Sequence, residues 1–181
     1  MSGRHLNALV CHPASAASGI IALAVAADYS ANGLALNFRL TGDPHDFIIP
    51  PPSPATATDG LWQHTCCEAF IASDSGTDYR EFNFSPSGQW AAYRFTDYRG
   101  RDERFQAPLA PLSTFRLLPD GFQLDATIAR ALLPTAAMLH VGLSAVIEGS
   151  DGSRSYWALS HGGPAPDFHL RSSFTLQLET P

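Results

Sequence analysis

Alternation of apolar and polar positions is the dominant pattern along this chain, and it is cleanest between Cys66 and Thr96. Cys66–Ser73 alternates and stops at Asp74-Ser75-Gly76, a turn cluster, which predicts one strand. Tyr79–Phe84 and Gln89–Thr96 predict two more, joined by Ser85-Pro86-Ser87-Gly88. Pro86 suits the second position of a type I turn, and Gly88 suits the left-handed conformation that follows. The turn chemistry therefore favours a three-residue hairpin loop with a glycine bulge. In that register Phe82, Phe84, Trp90 and Ala92 share one face, and Glu81, Asn83, Ala91 and Tyr93 share the other. A two-residue loop would move Trp90 to the face of Asn83, because a slip of one residue flips every side chain. In both registers Phe82 and Phe84 are core, and Glu81 and Asn83 form a polar face that is either solvated or a ligand platform.

The rest of the chain repeats the theme. Leu6–Cys11 predicts a short edge strand stopped by Pro13, and Ile20–Tyr29 a second strand. Asn32-Gly33 is a hairpin signal before Leu34–Leu40, whose leucines and Phe38 alternate with Ala35, Asn37 and Arg39. The rival for Ala14–Ala27 is an alanine-rich helix, disfavoured by Ile20, Ile21 and Val25. Asp43–Gly60 carries Pro50, Pro51, Pro52 and Pro54, so it is neither central strand nor helix. It predicts a long loop leading into Leu61-Trp62, a candidate pocket wall. Further on, Phe115–Leu118, Pro119-Asp120-Gly121 and Phe122–Ile128 predict a hairpin. Ala129–Leu133 predicts one helical turn stopped by Pro134. Met138–Glu148, Arg154–Leu159 and Ser172–Leu178 predict the last strands, with a glycine- and proline-rich loop at His161–Asp167. About ten short strands without a long helix predict one all-β domain over residues 1–181, a two-sheet antiparallel β-sandwich of jelly-roll type.

Composition narrows the function classes. The chain of 181 residues is long enough for one real core, its formal charge is −6, and no basic run appears. That argues against nucleic acid, which needs clustered Lys and Arg. No apolar run approaches the roughly 18–20 residues of a membrane span. Three cysteines cannot all pair, and the adjacent Cys66 and Cys67 point to opposite faces of a strand. Three reduced thiols and a cytoplasmic location are the expectation. Gly19–Ala27 is apolar, but Cys11, His12, Pro13 and several serines precede it, which does not match a signal peptide.

No Gly-x-Ser-x-Gly elbow, P-loop or dinucleotide fingerprint is present, and the acidic residues are too scattered to locate a glycosidase pair. His64, His161, Asp167 and His169 invite a metal reading, but their spacing forms no compact signature, so no metal is expected. Haem would need axial ligands, and Met138 with His140 on one strand face is the one candidate set, so no haem or other cofactor is expected. What remains is a set of aromatic and polar side chains suited to a small ligand. Trp62, Trp157 and Trp90 are each either a stacking platform or a core ring. Glu68 interrupts an apolar strand and is either solvated or an acceptor for hydroxyls. Asn83 both donates and accepts, with a cross-strand polar pair as its alternative. Tyr93 shares the face of Asn83. Arg94 pairs with a carboxylate such as Glu68 or Glu81. His161 and His169 lie on a loop, where function concentrates, while Asp167, His169 and Arg171 also suit fixing that loop.

Three segments carry a resemblance. LWQHTCCEAFIA (Leu61–Ala72), YREFNFSPSGQWAAYRF (Tyr79–Phe95) and YWALSHGGPAPDFHLRSSF (Tyr156–Phe174) resemble the DOMON-like proteins, in the superfamily of family 9 carbohydrate-binding modules and haem-binding DOMON domains. LDATIARALLP (Leu124–Pro134) is similar to that superfamily's strand ending in a hydrophobic-proline element. The resemblance implies a β-sandwich that binds a sugar or haem and catalyses nothing. By position it implies Trp62, Glu68 and Asn83 as site residues, with Trp157 a weaker match. The expected function is non-catalytic binding of a saccharide or sugar-containing metabolite. The alternatives are a hydrolase using the His161–His169 loop and a protein-interaction module.

Overall fold

All the predicted strands form in a computed structural model of the protein, which describes residues 5–15 and 19–181. They are β1 (His5–Cys11), β2 (Ile20–Ser30), β3 (Gly33–Gly42), β4 (Cys66–Ser73), β5 (Tyr79–Phe84), β6 (Trp90–Phe95), β7 (Leu112–Leu118), β8 (Gly121–Ala129), β9 (Met138–Glu148), β10 (Arg154–Ala158) and β11 (Leu176–Glu179). The helical elements among the described residues are three 3₁₀ turns, over Leu61–Gln63, Arg130–Leu132 and Arg171–Ser173. The second is the helical turn expected before Pro134. The third takes up Ser172 and Ser173, so the last strand starts later than its sequence pattern predicts. In β2, Val25 is paired on both edges, by β1 and by β3, while Ile20 pairs with β3 alone and Ile21 falls at a bulge in that pairing. Residues 16–18 of the rival helix lie outside the described residues.

The two-sheet sandwich is corrected in one respect. The strands form one strongly curled antiparallel sheet, in the order β6-β5-β4-β9-β10-β1-β2-β3-β8-β7, with β11 added to β9. The reason lies in β1, which is an internal strand and not the edge strand expected of Leu6–Cys11. Its first residues pair with β2 and its last two, Val10 and Cys11, pair with Ala158 and Trp157 of β10. One strand thus continues the sheet from one half into the other. The halves meet across a common core, in which Leu36, Phe38 and Phe122 face Ala69, Ile71, Phe82 and Phe84. Each such phenylalanine taken fully out of water contributes about 1.5–3 kcal/mol.

The hairpin between β5 and β6 has the three-residue loop that its turn chemistry favours. Phe84 pairs with Trp90 and Asn83 with Ala91. The Ser85 amide donates to the Gln89 carbonyl at 3.0 Å, and Gly88 sits at φ 93°. This register sends Tyr93, Glu81 and Asn83 to the face opposite Phe82 and Phe84. The long proline-bearing loop is pinned at both ends. The Ile48 amide donates to the Glu148 carbonyl, and Thr56–Thr58 bonds the backbone of Trp90 beside the edge of β6. That attachment covers an otherwise open sheet edge and delivers Asp59 and Gly60 to the face described next. Cys66 and Cys67 point to opposite faces as expected, and the three thiols are free.

Candidate functional site

On the face of β4, β5, β6, β9 and β10 turned away from the common core, a second, smaller cluster gathers around Phe70, Tyr79, Tyr93, Phe95 and Phe174. Beside it opens a cleft of about 530 Å³, within the usual range of small-molecule sites. Alternation along the strands supplies its floor: Glu68 and Phe70 from β4, Glu81 from β5, Tyr93 and Phe95 from β6, Val146 from β9 and Tyr156 from β10. Three loops supply its walls. The end of the proline-rich loop brings Asp59, Gly60 and Trp62, the segment after β6 brings Arg99 and Arg101, and the segment after β10 brings Pro166, Phe168 and His169. Gly60, at φ 77°, starts the 3₁₀ turn that buries Leu61 and leaves Trp62 50% exposed. The left-handed φ there suits glycine.

The floor is acidic and dry. Glu68 is 2% exposed and Glu81 is 5% exposed. The Ser144 hydroxyl donates to Glu68 Oε2 at 3.2 Å, and Asn83 Nδ2 donates to Glu81 Oε1 at 2.9 Å. Burial and the charge of Glu81 push the Glu68 carboxyl well above the usual carboxylate range. Burial pushes Glu81 up to about 7, against the Asn83 amide and the guanidinium groups of Arg101 and Arg99. Two neighbouring carboxyls out of water do not both ionise readily.

His169 is the hinge between floor and wall. The Tyr79 hydroxyl accepts from the Arg99 amide at 3.1 Å and lies 2.8 Å from His169 Nδ1; because Tyr79 is buried and its own O–H needs an acceptor, we assign that proton to the bond toward Nδ1. The imidazole then carries its proton on Nε2, which lies 3.8 Å from Glu81 Oε2. Burial and the neighbouring Arg99 hold His169 down to about 4, so it is neutral at pH 7. Asp167 orders the same loop. It accepts from Arg99 Nη2 at 2.9 Å, from the Tyr98 hydroxyl and from the His169 amide. Against the cost of burial, those donors hold Asp167 below its usual range. On the far wall the Arg101 guanidinium lies 4.3 Å from the Tyr93 ring centroid, and the Tyr93 hydroxyl donates to Asp59 at 2.9 Å.

Of the residues singled out from sequence, Trp62, Glu68, Tyr93 and His169 line this cleft. Asn83 lies beneath it, wholly buried, and touches it through Glu81. The others lie elsewhere. Trp157 is 6% exposed, belongs to the common core, and donates its indole N–H to Ser155 at 2.9 Å. Its neighbour Tyr156 takes the cleft side, as alternation requires. Trp90 sits on the opposite face of its strand, in register with Phe84. The pairing expected of Arg94 is corrected: it reaches Asp102 on the outside, with Nε 3.0 Å from Oδ2, and not Glu68 or Glu81. A charged side chain on the exposed edge strand finds the turn that follows it before it finds a buried carboxylate. His161 donates to the Val10 carbonyl at 2.7 Å and stands edge-on to the ring of His12, outside the cleft. Glu81 is the main omission. The alternation of β5 placed it on the polar face with Asn83, which was its signal. Arg99, Arg101 and Phe168 are placed by loop paths that no local pattern encodes.

Among the described residues, no group of three or more His, Cys, Asp or Glu side chains is arranged to hold a metal ion. No family profile matches the sequence, and no curated protein matches it either. Solved structures do. A Bacteroides uniformis protein provisionally described as carbohydrate-binding superposes with a TM-score of 0.74 at 12% identity, over 99% of this chain and 87% of its own. A family 9 carbohydrate-binding module of Caldicellulosiruptor kristjanssonii, in complex with cellotriose, gives 0.60 at 15% identity, over 98% of this chain and 82% of its own. The chain shares the fold of the family 9 carbohydrate-binding modules. The same organism's module in complex with glucose gives 0.57 at 14% identity, over 93% and 80% of the two chains. At such identities the shared property is the module fold; the side chains of the cleft are this chain's own.

Proposed function

We propose that this protein binds a saccharide in the cleft, without catalysing a reaction on it. The observation that carries the reading is the composition of the cleft. Aromatic surface from Trp62, Tyr156 and Phe168 surrounds a floor of directed polar groups from Glu68, Glu81 and His169, with Arg99 and Arg101 on one wall. A sugar ring presents an apolar C–H face and a rim of hydroxyls, so its site needs flat aromatic surface beside donors and acceptors. In support, modules of the same fold are found with cellotriose and with glucose. The DOMON-like resemblance is part of this proposal. Its three segments supply Trp62, Glu68 and Phe70, then Glu81, Tyr93 and Phe95, then Tyr156, Phe168 and His169. In this reading Trp62 stacks on the ring, and Glu81 and His169 Nε2–H take hydroxyls. Arg101 is held against Tyr93 as a second donor, and Asn83 acts by fixing Glu81. A reducing compartment, suited to three free thiols, is the proposed location.

Calorimetry tests the proposal, with glucose and cellotriose first and a wider glycan panel after. A hit should weaken about ten- to a hundredfold in Trp62→Ala, the effect of removing one central contact. If no sugar binds at millimolar concentration, the saccharide reading is wrong and a protein-interaction module takes its place. If a sugar binds and Trp62→Ala, Glu81→Gln and Arg101→Ala leave its affinity intact, the cleft is not the site.

A further inference from the structure

Glu68, Asn83 and Glu81 are neighbours on one sheet face. Strand pairing sets Glu68 directly opposite Asn83 and Phe70 opposite Glu81, and side chains directly opposite are within reach of each other. Asn83 Nδ2 donates to Glu81 Oε1, but Asn83 Oδ1 has no partner, although the side chain is wholly buried. A buried carbonyl without a donor bears the full loss of its hydration. Beside it stand two carboxyls buried to the same degree, which resist ionising together. One arrangement resolves both problems. A carboxylic acid at Glu68 has an O–H to give, and the amide carbonyl opposite has none to receive.

We propose that Glu68, Asn83 and Glu81 form a single proton-holding unit: Glu68 is the acid and donates to Asn83 Oδ1, Asn83 Nδ2 donates to ionised Glu81, and Glu81 Oε2 is the acceptor presented to the ligand. The surrounding groups decide which carboxyl keeps the proton. Arg99 and Arg101 both favour charge on Glu81. On its own face Glu68 meets Ser144 and the thiol of Cys66, the Cys67 thiol lies on the opposite face of the strand, and burial keeps both thiols protonated. The other groups around Glu81 are occupied. The Tyr93 hydroxyl donates to Asp59, the Tyr79 hydroxyl to His169, and Asp167 is held by Arg99. His169 is neutral, and its Nε2–H stands 3.8 Å from Glu81 Oε2, too far for a direct hydrogen bond. A ligand hydroxyl on the cleft side of the two atoms can bridge them, accepting from His169 and donating to Glu81.

The sign of the pH dependence follows, and for the ligand it rests on the saccharide reading. Glu81 is already almost dry, so a ligand has little water left to remove from it. What the ligand adds is a hydroxyl donor, which bonds more strongly to the ionised form. Binding therefore favours ionised Glu81, and affinity is highest above pH 7 and falls as pH drops through that region.

The unit is tested without ligand, by carboxyl ¹³C NMR on glutamate-labelled protein. One buried carboxyl should stay protonated through pH 8 and vanish in Glu68→Gln. Another should titrate near pH 7, vanish in Glu81→Gln and persist with the same midpoint in Glu68→Gln, since a glutamine copies a neutral acid. If Glu68→Gln does not fold, the signal left in Glu81→Gln makes the same assignment. Both carboxyls ionised at pH 6, or the protonated signal assigned to Glu81, would overturn the proposal. The second arm uses glucose, or the best sugar of the panel if glucose does not bind. Affinity should fall about tenfold from pH 8 to pH 5.5 in the wild type, and Glu81→Gln should bind more weakly with a flat profile. A sugar that binds equally at both pH values removes Glu81 as the acceptor. If no sugar binds, the saccharide reading fails while the ligand-free titration still decides the proton unit.

Discussion

Strands β4 and β5 present two faces that are equally dry and chemically opposite. Toward the common core stand Cys67, Ala69, Ile71, Phe82 and Phe84. Toward the cleft stand Glu68, Phe70, Glu81 and Asn83, all of them buried as well. Burial alone therefore does not separate packing from function in this molecule. The difference is satisfaction. The core-facing side chains just named bring no polar group beyond a thiol, and Arg80 and Ser73 at the ends of that face are satisfied by the carbonyls of Leu132 and Ser75. The cleft face holds two carboxyls, each with one hydrogen-bonded oxygen, and an amide carbonyl with no partner. Groups of that kind cost stability unless something completes them. In the arrangement proposed above Glu68 completes the amide carbonyl from within, and the second oxygen of Glu81 is what this face keeps for the proposed ligand.

The largest test of this contrast sets ring against ring. Phe84→Ala on the core face should cost about 3–5 kcal/mol. At roughly 2–4 °C per kcal/mol for a domain of this size, that is a fall of about 10 °C in Tm. Trp157→Ala should cost a similar amount, because its indole is packed in the same core. Trp62→Ala should leave stability within about 0.5 kcal/mol while weakening a bound sugar. Thermal unfolding and calorimetry on the same three variants separate the roles. A Trp62→Ala protein as unstable as Trp157→Ala would make Trp62 a packing residue.

A second test uses pH, because Glu81 and His169 pull stability in opposite directions. The carboxyl of Glu81 is raised to about 7 in the fold. Its contribution is complete below its unfolded value, near 4.3, and is lost as pH rises through about 7. His169 is lowered to about 4. The cost of charging it is absent above its unfolded value, near 6.5, and appears as pH falls toward 4. Each shift corresponds to about 3.5 kcal/mol, and between pH 4.5 and 6.5 they largely cancel. The raised Glu68 adds to the decline with rising pH. Glu81→Gln should tilt stability toward rising with pH over that window, and His169→Gln toward falling. Urea midpoints at pH 4.5 and 6.5 measure the tilt, and three parallel lines for wild type and variants would contradict the burial of both groups.

The core face was legible in the sequence and the cleft only in part, for a physical reason. Strand alternation is a local signal, so the assignment of Phe82 and Phe84 inward and of Glu81, Asn83 and Tyr93 to the other face followed from Cys66–Thr96 alone. The same alternation says that Tyr156 and Trp157 part ways, but not which one meets the core. That depends on β10 lying between β9 and β1, which is a long-range fact. The curling of the whole into one sheet is likewise unreadable locally, because it rests on two residue pairs at the end of β1. Arg99, Arg101 and Phe168 reach the cleft along loops fixed by Asp167, Tyr98 and the Tyr79 hydroxyl, contacts made across 20 to 69 positions of chain.

The smallest expected effect concerns the device that separates the two faces, the hairpin of Ser85 to Gln89. Gly88 sits at φ 93°, and a Cβ there would meet only the Ser53 carbonyl oxygen, at an ordinary 3.5 Å. Gly88→Ala therefore isolates the backbone cost of the left-handed region, about 1–2 kcal/mol, with little steric contribution. A fall of a few degrees in Tm is expected. The register should hold, because a slip of one residue would turn Phe82 and Phe84 out of the core and Glu81 and Asn83 into it, which costs far more than one strained φ. Sugar affinity should then stay within twofold of the wild type. A variant that keeps its stability but loses the sugar would mean that the hairpin has re-paired, with Tyr93 drawn away from Asp59 and Arg101. That result would show the two faces to be set by this one turn and not by the apolar pattern of β5.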